Sequence, residues 1–197
     1  SPDGTGAIAD QLVEKHAPRV RVEHRAKKEG LGPAYIAGFK LALAAGYERI
    51  LEMDADFSHP PEEIQRLLEK AEVYDLVLGS RWVPGGGTEN WPAHRQFISQ
   101  AGSFYARTIL GVGIKDITGG FKCFRREVLE TLDLDKIVSA GYMFQIEVTY
   151  HALQKGFKVH ESPITFVERR IGKSKMSRSI VLEAILKVPL LRLRGKK

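Results

Sequence analysis

The sequence predicts an α/β fold, with a mostly parallel sheet flanked by helices. Through the first half of the chain, short apolar segments alternate with segments of helical periodicity, which is the pattern of strand–helix–strand units. The 197 residues are 43% hydrophobic and 27% charged, as in an ordinary globular domain with its own core. No internal repeat and no linker interrupts this pattern, so we expect one continuous catalytic or binding domain.

Glycine, proline and acidic residues set the limits of the predicted elements in the first half. Gly46 ends one helix, and Pro61 followed by two glutamates begins the next, because proline and acids suit a helix N-terminus. A Leu-Val-Leu segment indicates a buried strand. The resulting elements are helix 7–16, strand 20–24, helix 34–45, strand 47–53, helix 61–72 and strand 74–78.

The second half begins with a glycine-rich and aromatic loop, 83–91, followed by the long helix 93–110 that Gly111 ends. We expect Phe97, Ala101, Phe104 and Ile109 to face inward on this helix. The remaining elements are strand 121–124, helix 142–154, one or two strands within 158–167 that Pro163 interrupts, a loop 169–177 and helix 179–193.

Two carboxylates follow the apolar strand 47–53. Asp54 and Asp56 are two residues apart, so in an extended chain their side chains point to the same side. Such a pair is costly unless a cation lies between the two groups, and oxygen ligands suit Mg²⁺ or Mn²⁺. A solvated pair of aspartates at a strand end is the alternative, because this short pattern is common.

The charge of the chain is +6, and it is concentrated at one end. Residues 169–197 contain ten lysines or arginines and one acid, which suits phosphate, nucleic acid or anionic lipid, or forms a solvated tail. Helix 179–193 can present an apolar stripe beside basic residues, so we expect residues 179–197 to lie in a membrane interface, next to a catalytic or binding domain formed by residues 1–178. An ordinary amphipathic helix packed on the sheet is the alternative. The stripe comprises Ile180, Ala184, Ile185, Val188 and Leu191, and the basic residues are Lys187, Arg192, Arg194, Lys196 and Lys197.

Other signals limit the class of protein. The only cysteine is Cys123, which excludes an internal disulfide and favours a reducing compartment. No apolar segment approaches the roughly 20 residues of a membrane span, and no signal peptide is visible. Aromatic RNA-binding motifs are absent, so we expect no nucleic-acid partner.

A series of motifs extends along essentially the whole chain. They begin with Ser1-Pro2-Asp3-Gly4-Thr5, Gly30-Leu31-Gly32, Met53-Asp54-Ala55-Asp56-Phe57-Ser58-His59 and Gly79-Ser80-Arg81. They continue with Asn90-Trp91-Pro92, Arg95, Ser99, Asp116-Ile117-Thr118-Gly119-Gly120-Phe121, Gly141-Tyr142-Met143-Phe144-Gln145-Ile146-Glu147, Phe166-Val167-Glu168-Arg169 and Gly172-Lys173-Ser174-Lys175. In their order and spacing, these motifs resemble those of the family-two glycosyltransferases of GT-A (Rossmann-like) fold, and most closely those of the dolichyl- or polyprenyl-phosphate mannose synthases.

The resemblance implies inverting transfer of mannose from GDP-mannose to a dolichyl or polyprenyl phosphate. It also implies a peripheral position at the cytoplasmic face of a membrane, where the enzyme could have a membrane-protein partner. It implies that Asp54, Asp56 and Ser58 hold Mg²⁺ or Mn²⁺. Ser58 replaces the glutamine that is frequent in the family. The implied donor-binding residues are Asp54, Ala55, Asp56, Arg81, Arg169 and Lys175.

The acceptor phosphate is implied to lie at Arg81, Arg95 and Ser99, and the catalytic residues to be Asp56, Arg81 and Arg95. A phosphate monoester is already ionised near neutral pH, so the reaction needs cationic side chains more than a general base. Relatives also have a strand ahead of the Ser1–Thr5 motif, and we expect that this chain lacks that first strand.

Two alternatives stay open at this point. The same fold could transfer glucose or N-acetylglucosamine to a lipid phosphate. A non-catalytic protein could use the basic C-terminal end to bind anionic membrane or nucleic acid, but the aspartate pair would then have no role.

Overall fold

The structure is a computed structural model that describes residues 4–27, 29–137, 139, 141–168 and 178–195, with the backbone alone for 178–183. The helices are α1 Thr5–His16, α2 Leu31–Ala44, α3 Glu63–Lys70, α4 Ala93–Leu110, α5 Arg126–Thr131, α6 Tyr142–Gln154 and α7 Arg178–Arg194. The strands are β1 Arg49–Glu52, β2 Leu76–Ser80, β3 Gly87–Glu89, β4 Lys122–Arg125, β5 Val159–Pro163 and β6 Thr165–Val167.

The main sheet has the strand order β1-β4-β2-β5. β2 and β5 are parallel, and β4 runs antiparallel to both of its neighbours. Three strands therefore share one direction and a reversed strand lies between two of them, which confirms the predicted α/β class. β3 and β6 form a separate parallel pair beside this sheet.

The two faces of the main sheet are covered by different helices. Leu76, Leu78 and Phe124 belong to the larger cluster, with residues of α2, α5 and α6, while Val77 and Cys123 pack against α3. This alternation is the period of two that a strand imposes on a sheet covered on both faces.

The N-terminal segment differs from its prediction. Residues 20–24 are described and form no strand, because no described strand lies alongside to accept their hydrogen bonds. α1 buries none of its residues.

α4 has its predicted bounds, but the predicted inward face is wrong. Phe97 and Phe104 are 73% and 59% exposed, and Ala101 and Ile109 are exposed as well. The buried residues are instead Ser99, Ser103, Ala106 and Leu110. Small side chains bring this helix close to the turn at Thr118, whose hydroxyl lies 3.2 Å from that of Ser103. Close approach, rather than hydrophobicity alone, determines which face is inward.

α7 packs against α4 and α6. Of the predicted membrane-facing stripe, Val188 and Leu191 are buried in the core, and Ile185 is 45% exposed. The side chain of Ile180 lies outside the described residues. Arg192 donates to the main-chain oxygen of Leu110, so it holds the end of α4 instead of facing outward. No helix in the described part of the chain is long and apolar enough to cross a membrane.

Candidate active site

The predicted aspartate pair follows β1 at the edge of the main sheet. Asp54 and Asp56 are both half-buried, and Ala55 between them is exposed. The Tyr35 hydroxyl on α2 donates to Asp54 Oδ1 at 3.2 Å. Burial, followed by the charges of Glu52, Asp54 and Asp56, raises the pKa of Tyr35 well above its ordinary value, so Tyr35 stays a neutral donor.

Asp56 also organises the turn that follows it. Its Oδ1 accepts the main-chain N–H of Ser58 at 3.1 Å and the Ser58 hydroxyl. Phe57, between them, has the left-handed φ of 62°. Ser58 is fully buried. This arrangement favours Ser58 as a support for the Asp56 carboxylate, and its direct bond to a metal stays a prediction.

The donor set at Asp54 and Asp56 fits a hard divalent cation that is also bound by a substrate. No cluster of three or more histidine, cysteine, aspartate or glutamate side chains that could hold a metal occurs in the part of the chain that the structure describes. Mg²⁺ is commonly held by one or two carboxylates together with substrate phosphates and water, so two carboxylates suffice.

Arg81, at the end of β2, is held by a buried carboxylate from the turn after α4. Its Nε and Nη2 donate to Asp116 Oδ2 and Oδ1, each at 2.7 Å, and its main-chain N–H donates to Oδ2 at 3.0 Å. Nη2 also donates to the Thr118 hydroxyl at 3.2 Å. Burial opposes the charge of Arg81, but Asp116 outweighs it and the pKa of Arg81 is raised. The guanidinium group is therefore fixed and charged.

Arg95, in the first turn of α4, is the second cation of the site. Its Nη1 donates to a Glu168 carboxylate oxygen, and its guanidinium carbon lies 3.9 Å from the centre of the Trp91 ring. Its Nε is buried and has no hydrogen-bond partner among the described residues. An acceptor oxygen from a ligand would satisfy that nitrogen, and the contact of Arg95 with the acceptor phosphate stays a prediction.

A small cleft of about 60 Å³ brings these predicted residues together. Asp54, Arg81 and Arg95 line it with the glycines of the 116–120 turn. Ser99 lies instead in a neighbouring apolar cavity of about 500 Å³, whose wall also includes Arg81. Two further predicted donor-binding residues, Arg169 and Lys175, lie outside the described residues.

Sequence reasoning missed a buried polar group behind the cleft. Lys122 Nζ donates to the main-chain oxygen of Gln145 at 3.0 Å and to its side-chain Oε1, and it lies 3.6 Å from Glu52 Oε1. Burial raises the pKa of Glu52 to about 7 and lowers the pKa of Lys122 to about 8, so in both groups desolvation outweighs the pairing. A charged residue inside the apolar segment Phe121–Phe124 was the available signal.

Gln145 connects this group to the cleft, which it lines. An ammonium group only donates, so the amide oxygen of Gln145 must face Lys122. Its Nε2 is buried without a hydrogen-bond partner among the described residues. We therefore expect a substrate bound in the cleft to accept a hydrogen bond from this amide group.

Comparison with known proteins shows the family of the chain. The family model described as glycosyl transferase family 2 matches residues 1–133. The chain is 52% identical over 197 residues to the polyprenol monophosphomannose synthase of Mycolicibacterium smegmatis, covering all of this chain and 74% of that protein. It is 52% identical over 188 residues to the undecaprenyl-phosphate mannosyltransferase of Micrococcus luteus, covering 95% of this chain and 77% of that protein.

Among solved structures, a mycobacterial protein matches with a TM-score of 0.61 at 16% identity, covering 94% of this chain. The Mycobacterium tuberculosis glucosyl-3-phosphoglycerate synthase with Mn²⁺, UDP and its product matches with a TM-score of 0.55 at 18% identity, covering 91% of this chain. The chain spans 60% and 57% of those two chains. At such identities the likeness concerns the fold, which is the predicted GT-A fold. The chain belongs to glycosyl transferase family 2.

Proposed function

We propose that the protein transfers mannose from GDP-mannose to a polyprenyl phosphate, with inversion at the anomeric carbon. The observation that carries the proposal is that Arg81 lines both the cleft beside Asp54 and the apolar cavity beyond it. A lipid phosphate needs such a junction, because its charged end must reach the donor while its chain stays in an apolar environment. The names of the two 52% identical relatives support mannose and a polyprenyl acceptor.

In the proposed reaction, an oxygen of the acceptor phosphate attacks C1 of mannose. The bond from C1 to the β-phosphate oxygen of GDP-mannose breaks, and its electron pair leaves with GDP. Asp54 and Asp56 would hold Mg²⁺ or Mn²⁺, which supplies positive charge for the departing diphosphate. No side chain has to remove a proton, because the acceptor phosphate is already ionised.

The arginines have to position two anions next to each other. Asp116 engages Nε and Nη2 of Arg81, which leaves Nη1 for a phosphate oxygen. Arg95 offers its buried Nε. Fixing these donors in advance lowers the cost of bringing the negatively charged reactants together. Ser99 adds a hydroxyl at the cavity side of Arg81.

The cavity between α4, α6 and α7 is suited to the first isoprene units of the acceptor. Its wall is predominantly apolar, with Phe97, Ile98, Tyr105, Met143, Ile146, Ile185 and Val188. Its volume of about 500 Å³ holds only part of a polyprenyl chain. The remainder would stay in the bilayer, so the cavity has to meet a membrane surface.

We further propose a peripheral position at the cytoplasmic face of a membrane. On α7 the side chains that could enter the interface are Leu186, Leu190 and Leu193, which are exposed. They differ from the stripe predicted from the sequence, whose members Val188 and Leu191 are in the core. The membrane-protein partner suggested by the resemblance stays a prediction.

A donor screen tests the function. The protein is incubated with polyprenyl phosphate, Mn²⁺ and, in parallel, GDP-mannose, UDP-glucose or UDP-N-acetylglucosamine, and sugar in the lipid extract is measured. We expect transfer from GDP-mannose alone. Arg81→Lys should lose most of the transfer, and Arg126→Lys, at a surface pair with Glu130, should lose none. Preferential transfer of glucose or N-acetylglucosamine would contradict the proposed donor.

A further inference from the structure

A second, polar groove lies on the opposite side of α4 from the apolar cavity. Its volume is about 670 Å³. One wall is a face of α4 that includes Gln96, Gln100, Phe104 and Arg107, and the other wall is the loop that follows β2, with Lys115 completing the lining. That loop turns sharply at Gly86, where a Cβ would lie 2.5 Å from the Ser80 main-chain oxygen.

Among the described residues, those that line the groove include cations and no acid. Its charged lining residues are Arg81, Arg107 and Lys115. Asp116 neutralises Arg81, so Arg107 and Lys115 carry the excess charge. The nearby carboxylate of Glu161 is engaged by the main-chain N–H groups of residues 115 and 116, at 2.7 and 2.8 Å, and by the Ser80 hydroxyl at 2.7 Å.

An exposed aromatic ridge borders the groove. Phe97 and Phe104 are seven residues apart, so they lie on one face of α4. Arg107 lies with its guanidinium carbon 5.2 Å from the centre of the Phe104 ring. Phenylalanine rings outside and basic side chains next to them are the composition of a surface that enters the boundary between headgroups and acyl chains.

We propose that this groove binds the phosphate of an anionic phospholipid headgroup while Phe97 and Phe104 enter the membrane interface. Arg107 and Lys115 contact the phosphate, and the polar side chains of Gln96 and Gln100 are within the same wall to accept and donate hydrogen bonds to a glycerol or other headgroup. Arg107 and Lys115 line neither the reaction cleft nor the acceptor cavity, whereas Arg81 borders all three and Phe97 also lines the acceptor cavity. The inference rests on the proposed function only in placing the chain at a membrane.

The test uses vesicles without polyprenyl phosphate and without nucleotide sugar, so that neither substrate contributes to binding. Binding of the full chain to phosphatidylglycerol-containing vesicles and to pure phosphatidylcholine vesicles is measured by sedimentation. We expect Arg107→Gln/Lys115→Gln to weaken binding to anionic vesicles about 30-fold, which corresponds to about 1 kcal/mol for each basic residue at the surface. Binding to phosphatidylcholine vesicles should change less than about threefold, because the charge term is absent there.

The matched control is Lys15→Gln/Lys155→Gln, which removes the same charge at exposed positions outside the groove. It should retain anionic vesicle binding to within about threefold if a site, rather than net charge, is responsible. Equal losses in the two double variants, or none in the groove variant, would overturn the inference. Phe97→Ser/Phe104→Ser should weaken binding to both vesicle types. Unchanged binding would show that the two phenylalanines do not enter the membrane interface. The donor screen can fail while this result stands, and the reverse is also true.

Discussion

The ion pair between Arg81 and Asp116 offers a quantitative test of how the acceptor cation is held. Asp116→Asn keeps the shape of the side chain and one oxygen acceptor but removes the charge. The Asp116 side chain is fully buried, and that of Arg81 is only 10% exposed. The substitution therefore leaves a guanidinium charge with little water and without its carboxylate.

Breaking a buried pair from one side costs about 3–5 kcal/mol, because the remaining charge is left uncompensated. That is a large part of the roughly 5–15 kcal/mol that stabilises a domain. Arg81→Met strands the other charge and should cost a similar amount. In the double variant neither charge remains, so we expect a coupling free energy near the upper end of the roughly 0.5–3 kcal/mol range of contacting pairs.

Urea unfolding followed by far-ultraviolet circular dichroism gives the free energy of unfolding of the four proteins in this cycle. Glu130→Gln, at an exposed helical pair with Arg126, is the control and should change it by less than about 0.5 kcal/mol. Asp116→Asn should also lower kcat/KM for the lipid acceptor about 100-fold, since Arg81 loses its fixed position. A coupling below about 0.5 kcal/mol, with normal transfer in Asp116→Asn, would refute the role assigned to the pair.

Three other predictions follow from the site and the membrane face. Asp56→Asn should abolish transfer and the dependence of donor affinity on Mn²⁺. It should cost about 1 kcal/mol or less in stability, because the amide oxygen can still accept the hydrogen bonds of the turn. Mn²⁺-dependent donor binding equal to that of the wild type would exclude Asp56 as a ligand. Lys122→Met should strand the buried Glu52 carboxylate and destabilise the fold by about 3–5 kcal/mol at pH 8. In the wild-type protein, the Lys122 pKa is lowered to about 8 from its ordinary 10.5. Between these two pH values the unfolded chain binds more protons than the folded protein, so the contribution of Lys122 to the free energy of unfolding rises with pH. Urea unfolding of Lys122→Met across this pH range should lack that rise. Leu186→Ser should weaken vesicle binding about tenfold, because Leu186 is 68% exposed on α7. Leu41→Ser, at a leucine of α2 that is 52% exposed, should not weaken it, and equal effects would argue against α7 as the contact.

Local sequence patterns were sufficient for most of the fold. Pro92 and Gly111 delimit α4, and the positive φ of 69° at Gly111 is the conformation that a glycine favours at a helix end. The Leu-Val-Leu segment of β2 is completely buried, as predicted. These features depend on neighbours within a few residues, which is the range over which a sequence pattern is informative.

Contacts between residues far apart in the chain could not be predicted from the sequence in this way. Asp116 is 35 residues from Arg81, and Lys122 is 70 residues from Glu52, so no spacing rule connects them. The choice of the buried face of α4 failed for a related reason. Hydrophobicity favours burying Phe97, but the close approach to the 116–120 turn admits only small side chains, and the phenylalanine faces outward.

The charges around the cleft explain why a cation and the donor should bind together. Among the described residues, Arg81 and Arg95 are each matched by a carboxylate of the protein, from Asp116 and Glu168. Asp54 lines the same cleft, and Asp56 follows two residues later in the chain. A nucleotide diphosphate approaching these carboxylates without a cation would be repelled, because like charges at close range in a partly buried site are costly. A divalent cation held by the two aspartates would offset that repulsion. Donor binding without Mg²⁺ or Mn²⁺ should therefore be much weaker, and isothermal titration with GDP-mannose in excess chelator tests this directly; an affinity equal to that measured with Mn²⁺ would contradict the role proposed for the two aspartates.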